Sequence, residues 1–202
     1  MKKVISIIVV VLLFISTASA EVSFQKIPWL SNDETVVKAL IDAGFLRGNP
    51  ELDLTNEKAV FLTKNEDLDY QPTYLAEYKD YSFTATLSDN VKGKIAGYPV
   101  KNIIPTFAYD GEYRLIAIIV ELINADYTSL KEKLTKVYGE CEVKKIEDES
   151  IESNLWRGDN NSAVALYTES DGFNYVLIYG RTDAEEILSN CSLYDPNDVS
   201  GL

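Results

Sequence analysis

The sequence predicts an α+β fold of two helix-then-β-meander units, with the helices packed on one face of an antiparallel sheet. Three observations predict it. Two capped amphipathic stretches, Ser31 to Gly44 and Asp126 to Gly139, each end on a glycine. Strand-like runs follow each of them, and Asp110-Gly111 and Asp171-Gly172 sit between paired runs as hairpin turns. Helices segregated to one face of such a sheet are the usual burial solution for this order of elements. Residues 21–202 form one α+β domain on this reading, divisible into two fused subunits that meet near 123–126.

The chain opens on a segment of another kind. Lys2 and Lys3 precede an apolar run from Val4 to Ile15 broken only by Ser6, and Ser16-Thr17-Ala18-Ser19-Ala20 closes it with small residues. A charged start, a short apolar core and an A-x-A end make a secretory signal peptide, residues 1–20, cleaved between Ala20 and Glu21. The run is shorter than the roughly 20 apolar residues of a comfortable membrane span. No cysteine follows it, so the product is released without a lipid or a stable membrane anchor. The expected location is periplasmic or extracellular.

After the leader, Phe24 to Leu30 with Pro28 reads as an extended arm that plugs a core. Ser31-Asn32-Asp33-Glu34 reads as a capping box, Ser31 accepting from the Glu34 amide. Val36, Val37, Leu40 and Ile41 mark one helical face and Gly44 a stop. Arg47 to Tyr74 reads as a long loop with one short strand at Ala59 to Leu62. Alternation from Tyr78 through Tyr81, Phe83, Ala85 and Leu87 reads as a half-buried strand. Ile103 to Tyr109 and Tyr113 to Leu122 form the first hairpin, and Ile116 to Val120 is apolar on both faces, as a central strand is. In the second helix Asp126 is the N-cap, Leu130, Leu134 and Val137 share a face with Tyr127, and Gly139 terminates. Val143 to Ile146 and Ser153 to Arg157 are short strands. Ala163 to Tyr167 and Phe173 to Tyr179 make the second hairpin, and Asp183 to Leu188 a last helical turn.

Composition narrows the chemistry. The full chain carries 19 basic and 32 acidic residues, net −13. The leader holds Lys2 and Lys3 and no acid, so residues 21–202 carry 17 basic and 32 acidic residues, net −15. Such a surface repels phosphate backbones, so nucleic acid is not an expected partner. There is no histidine, which removes Ser-His-Asp and Cys-His catalysis and His-ligated zinc. Two cysteines cannot make a four-thiolate site. No cofactor and no metal are expected. An exported chain with an even cysteine count predicts a disulfide, here Cys141–Cys191, closing a loop of about 50 residues at a gain of about 4 kcal/mol. The alternative is two free, buried thiols.

Three pieces carry a resemblance: Ile27-Pro28-Trp29 before a capped helix, the helix Leu130 to Gly139 ending in Tyr-Gly, and Trp156 with the alternating strand Ala163 to Tyr167. Together they resemble a class of small exported bacterial proteins of unknown function, which often has glycine where this chain has Leu30. The helix-then-meander repeat is similar at fold level to β-lactamase-inhibitor-protein and outer-membrane-assembly lipoprotein folds. Neither resemblance implies a catalytic residue.

Thirteen tyrosines and two tryptophans are available for stacking. Trp29 and Trp156 are the binding anchors if they are exposed, and core plugs between helix and sheet otherwise. Asn65 to Asp69 and Asp195 to Asp198 are oxygen-rich, but neither has the spacing of a twelve-residue calcium loop. Glu147-Asp148-Glu149 reads as a solvated turn, and Arg157-Gly158-Asp159 before Asn160-Asn161 as a plain turn. No spacing singles out a catalytic pair of carboxylates. The functional expectation is an exported, non-enzymatic binding or structural module of the cell envelope, with protein or envelope glycan as partner. An inhibitor of a secreted enzyme comes second and a carboxylate-based hydrolase third.

Overall fold

A computed structural model describes residues 21–56, 60–63, 71–74, 76–145, 152–168 and 174–191. In chain order its elements are α1 (Asp33–Asp42), β1 (Val60–Thr63), β2 (Gln71–Tyr74), β3 (Ser82–Thr84), β4 (Lys94–Ile95), β5 (Tyr98–Tyr109), β6 (Tyr113–Ile123), α2 (Tyr127–Tyr138), β7 (Glu142–Lys145), β8 (Glu152–Gly158), β9 (Ser162–Thr168), β10 (Asn174–Arg181) and α3 (Ala184–Ser189). Short 3-10 helices lie at Ala76–Tyr81 and Ser88–Asn90. The fold is α+β. An antiparallel eight-stranded sheet runs β3-β5-β6-β10-β9-β8-β7, with β4 paired to the start of β5. Pairing of β6 with β10, Ala117–Ile123 against Asn174–Gly180, joins the two hairpins into one sheet. Leu115 to Val120 are therefore buried on both faces, as their unbroken apolar run requires.

α1 forms where the sequence places it, with a different cap. Asn32, not Ser31, is the N-cap: its Oδ1 accepts from the Thr35 amide at 3.0 Å, while the Ser31 hydroxyl donates to the Pro28 carbonyl at 2.7 Å. Both residues are capable caps, and the turn before the helix takes Ser31. At the other end Gly44 has φ +79°, its amide donates to Ile41 O, and the Phe45 amide donates to Leu40 O at 2.8 Å. That pair of bonds is a Schellman cap, with Leu40 and Phe45 both buried beside it.

α2 is capped by Asp126, whose Oδ1 accepts from the Ser129 amide at 2.8 Å, and stops at Gly139 with φ +88°. Leu130 and Leu134 are buried, but Val137 is 68% exposed and does not share their face. At about 100° per residue Val137 lies only about 20° beyond Leu130, at the margin of the arc of about 80° that Tyr127, Leu130, Leu134 and Tyr138 span, and the structure leaves it in solvent. Tyr138 takes the inward place and pairs with the hydroxyl of buried Tyr179.

α1, α2 and the N-terminal arm share one core with Ile103, Phe107, Leu115, Val120, Trp156, Val164 and Leu177. The arm is not extended: Gln25 and Lys26 sit at φ +51° and +60°, and the Ile27 amide closes a turn onto Phe24 O at 3.0 Å. Turning there drives Val22, Phe24 and Ile27 inward together. The chain then pairs with β6, Leu30 N–H to Leu115 O and Leu115 N–H to Ser31 O, both 2.9 Å. Those bonds hold Leu30 at φ +64°, in the left-handed region that favours glycine, with its side chain 42% exposed. Leu30→Gly is expected to raise stability by up to about 1 kcal/mol, because relief of about 1–2 kcal/mol of backbone cost exceeds the extra entropy of glycine. A lower urea midpoint for the variant contradicts this.

The opposite face of the sheet is covered too. Gly180 lies between Ala117 and Ala163 in register, and these small residues form a shelf for Leu62 of β1. A Cβ at Gly180 would sit 3.4 Å from Leu62 Cδ1. β1 pairs with β2, which the sequence hides: Gln71-Pro72-Thr73-Tyr74 has no apolar alternation and carries a proline. α3 packs Ala184 and Leu188 on Ala108, Ile116 and Ala117. Ala108 and Ile116 alternate away from Phe107 and Leu115, and the register shift between Thr106 and Phe107 leaves Ile116 as an extra residue in β6 and brings Ala117 to the same side. The three helices therefore do not all lie on one face. Tyr78 and Tyr81 join that cluster from a 3-10 helix rather than a strand, and β3 begins only at Ser82. Tyr78 sits at a kink in that stretch, with φ −98° and ψ 18°, so no strand alternation runs from it to Tyr81.

Candidate binding groove

The segment after α1 makes a second wall beside it. Leu46 bridges to Val91, and the Arg47 amide donates to Asn90 O at 2.8 Å. At the far end the Thr55 and Thr84 amides each donate to the other's carbonyl at 2.9 Å. Leu52 and Leu54 pack inward on the main core. The wall is thus tied at both ends and along its length, which makes the groove preformed. Between the walls lies a groove of ≈ 710 Å³. α1 supplies Asp33, Glu34, Val37, Lys38 and Ile41; the facing segment supplies Asn49, Pro50, Glu51 and Leu52.

Its electrostatics are lopsided. Lys38 is the groove's one cation among the described residues, and it is held by Asp42 at 3.0 Å. Asp33 and Glu34 belong to the first turn of α1, where the helix dipole favours acids. Glu51 has no such reason to be acidic. Beyond Asp33 lies a half-buried aromatic corner, Phe83, Tyr109 and Tyr113, with centroids 4.9–5.6 Å apart. Burial first, then Tyr109 and the Asp33 carboxylate, raise the Tyr113 hydroxyl above its ordinary 10.0.

The residues nominated from sequence lie elsewhere. Trp156 is fully buried in the main core and offers no face to a ligand; its position on a covered face of β8 makes it a plug. Trp29 is half-buried, and its Nε1 donates to Val22 O at 3.0 Å, fastening the arm to itself. Ala20 lies outside the described residues, as do 65–69, 147–149 and 195–198; Glu21 is exposed at the head of the arm. Arg157-Gly158-Asp159 leads into a turn in which Asn160 and Asn161 take φ +58° and +55°, and Arg157 Nε is bound to Glu142 at 2.8 Å. Among the described residues no group of three or more His, Cys, Asp and Glu could hold a metal ion, and no helix is long and apolar enough to cross a membrane. Loop signals hid the groove wall, although Leu52-Asp53-Leu54-Thr55 alternates as an edge segment does.

Cys141 and Cys191 are free thiols, which corrects the expected disulfide. Cys141 leads into β7 and packs on the main core, its Sγ 3.5 Å from Asn154 Oδ1. Cys191 follows α3 on the opposite face, beside Ala108 and Ile116. Four or five strand spacings of about 4.8 Å separate them, against the Cα limit of about 7 Å for a bridge. Burial, and then Asp110, raise the Cys191 thiol above its ordinary 9.0, so it is a poor thiolate. Its tail position suggested a tether, but α3 is held by its own apolar side.

A second hollow, ≈ 530 Å³, is lined by Tyr78, Asn161, Thr182, Asp183, Glu185, Glu186 and Ser189. Its central carboxylate is already committed. Asp183 accepts from Arg181 Nε at 2.7 Å and from Asn161 Nδ2 at 2.9 Å, and the Thr182 amide donates to Asn161 O at 2.8 Å. The β8–β9 turn is thereby latched to the start of α3. Burial pushes the Asp183 carboxyl up, but the bonds from Arg181 and Asn161 outweigh it and hold it below its ordinary 3.8. A lowered carboxylate pKa stabilises the fold above the unfolded-state value of about 3.9 and loses that effect as pH falls through the folded-state value. Asp183→Asn is therefore expected to have a lower urea midpoint than wild type at pH 7, with the gap closing as the pH drops below about 4. A gap of constant size from neutral to acid pH contradicts the latch.

Comparison of the chain with known protein families, with curated proteins and with solved structures finds no match.

Proposed function

We propose that the protein is an exported, non-enzymatic binding or structural module of the bacterial cell envelope, with protein or envelope glycan as its partner. The observation that carries this reading is the groove between α1 and residues 49–52: preformed, open, apolar at its base and acidic at its rim. The leader-like pattern of residues 1–20 and the net charge of −15 over residues 21–202 support delivery of a soluble chain to the envelope. The same reading keeps two helix-then-meander units: α1 precedes β3 to β6, α2 precedes β7 to β10, and the join falls at 123–126. That order also favours a second reading, an inhibitor of a secreted enzyme, in which the groove side meets the enzyme.

Three measurements separate these readings. The intact mass of protein recovered from periplasm or medium is expected to correspond to a chain starting at Glu21; a mass retaining Met1 contradicts export with processing. Affinity capture from envelope extract identifies the partner, and a secreted hydrolase among the captured species favours the inhibitor reading. Turnover on a glycan and peptide panel, abolished by a single Asp or Glu substitution, overturns both in favour of a carboxylate hydrolase.

A further inference from the structure

We infer that the groove between α1 and residues 49–52 takes a basic, partly apolar segment of a partner protein. The inference rests on the binding-module reading and specifies its site and ligand chemistry. Asp33 and Glu34 on one wall and Glu51 on the other line the same groove, and its lysine is already paired with Asp42. Like charges lining both walls of a groove repel each other, and a cation between them converts that repulsion into attraction. Glu51 stands on an irregular segment, so no helix dipole accounts for its sign.

The base of the groove adds what a simple ion would not use. Val37 is buried; Ile41, Pro50 and Leu52 are half-buried. Apolar side chains alternating with lysine or arginine would fill this base while their charged neighbours reach the carboxylate rim, as long basic side chains do when their stems lie on apolar surface. The volume of ≈ 710 Å³ falls within the usual range for ligand clefts, about 300–1,000 Å³, and holds a few side chains, not a folded domain. The wall needs no ordering on binding, because backbone bonds at Arg47 and Thr55 already hold it.

The test uses fluorescence anisotropy of a labelled Lys-Leu-Lys-Leu-Lys peptide with the purified protein. Binding is expected, weakening as salt rises. The double variant Glu34→Gln with Glu51→Gln is expected to weaken it by about tenfold, the size of two exposed charge pairs together. The double variant Glu132→Gln with Glu140→Gln, exposed acids away from the groove, is expected to change it less than about twofold. Replacing the leucines of the peptide by serine is expected to cost at least about fivefold. Circular dichroism melts of both double variants confirm the fold. No binding, equal losses in the two double variants, or equal binding of the serine peptide each overturns the inference. If affinity capture from envelope extract recovers the same partner with wild type and with the groove variant, the groove assignment falls while the binding-module reading stands.

Discussion

Trp156→Ala is expected to destabilise the protein by about 3–5 kcal/mol, the usual cost of emptying a large aromatic site. Trp156 is fully buried on β8, opposite Val164 in register, in the same core as Leu130 and Leu134 of α2. The indole is thus among the groups that hold α2 to the sheet. Its Nε1 has no hydrogen-bond partner among the described residues, so a donor is desolvated there without return. Trp156→Phe removes that donor along with part of the ring, and the two effects oppose each other. It is expected to cost less than about 1.5 kcal/mol, as near-conservative core swaps do. Urea unfolding of the two variants measures the difference. A Trp156→Phe cost well above about 1.5 kcal/mol would mean that the indole nitrogen is bonded, and equal costs for the two variants would contradict the burial argument.

The same residue shows how far a sequence carries. Trp156 stood as either a binding anchor or a plug, because residue type does not say which face of a strand is covered. The neighbours decide: α2 lies over that face, and a helix crossing a sheet is not encoded in local spacing. The elements with local grammar were legible. The Schellman stop at Gly44, the Asp126 cap and the Asp110-Gly111 hairpin each depend on residues within one turn of one another. The central place of β6 was legible because Ile116 to Val120 is apolar on both faces. What was missed depends on partners distant in sequence. β2 is a strand because β1 lies beside it, and the groove wall is held where Arg47 meets Asn90 and Thr55 meets Thr84. The disulfide failed for a related reason. Pairing was inferred from count and compartment, while the sheet puts Cys141 near its β7 edge and Cys191 against its β5–β6 side.

Removing residues 21–27 is expected to abolish cooperative folding. Val22, Phe24 and Ile27 are 0–1% exposed, so the short arm buries three large apolar side chains. At about 1.5–3 kcal/mol each they contribute about 5–9 kcal/mol, against a typical total stability of 5–15 kcal/mol. Their neighbours would be left exposed as well. Phe24 packs its ring 5.2 Å from Phe45 and 5.3 Å from Tyr179, linking the segment behind α1 to β10. The Val22 amide donates to Ser162 Oγ at 2.9 Å, reaching the start of β9 from 140 residues away in sequence. The arm therefore closes the fold between both hairpins. Loss of near-ultraviolet circular dichroism and of a thermal transition is the expected readout, and a transition within a few degrees of wild type would contradict it. Phe24→Ala alone, expected to cost about 3–5 kcal/mol, keeps the argument testable in a protein that still folds. The position of this plug also bears on the proposed leader. Glu21 is exposed and Val22 is not, so processing between Ala20 and Glu21 would leave one solvated residue ahead of the buried arm.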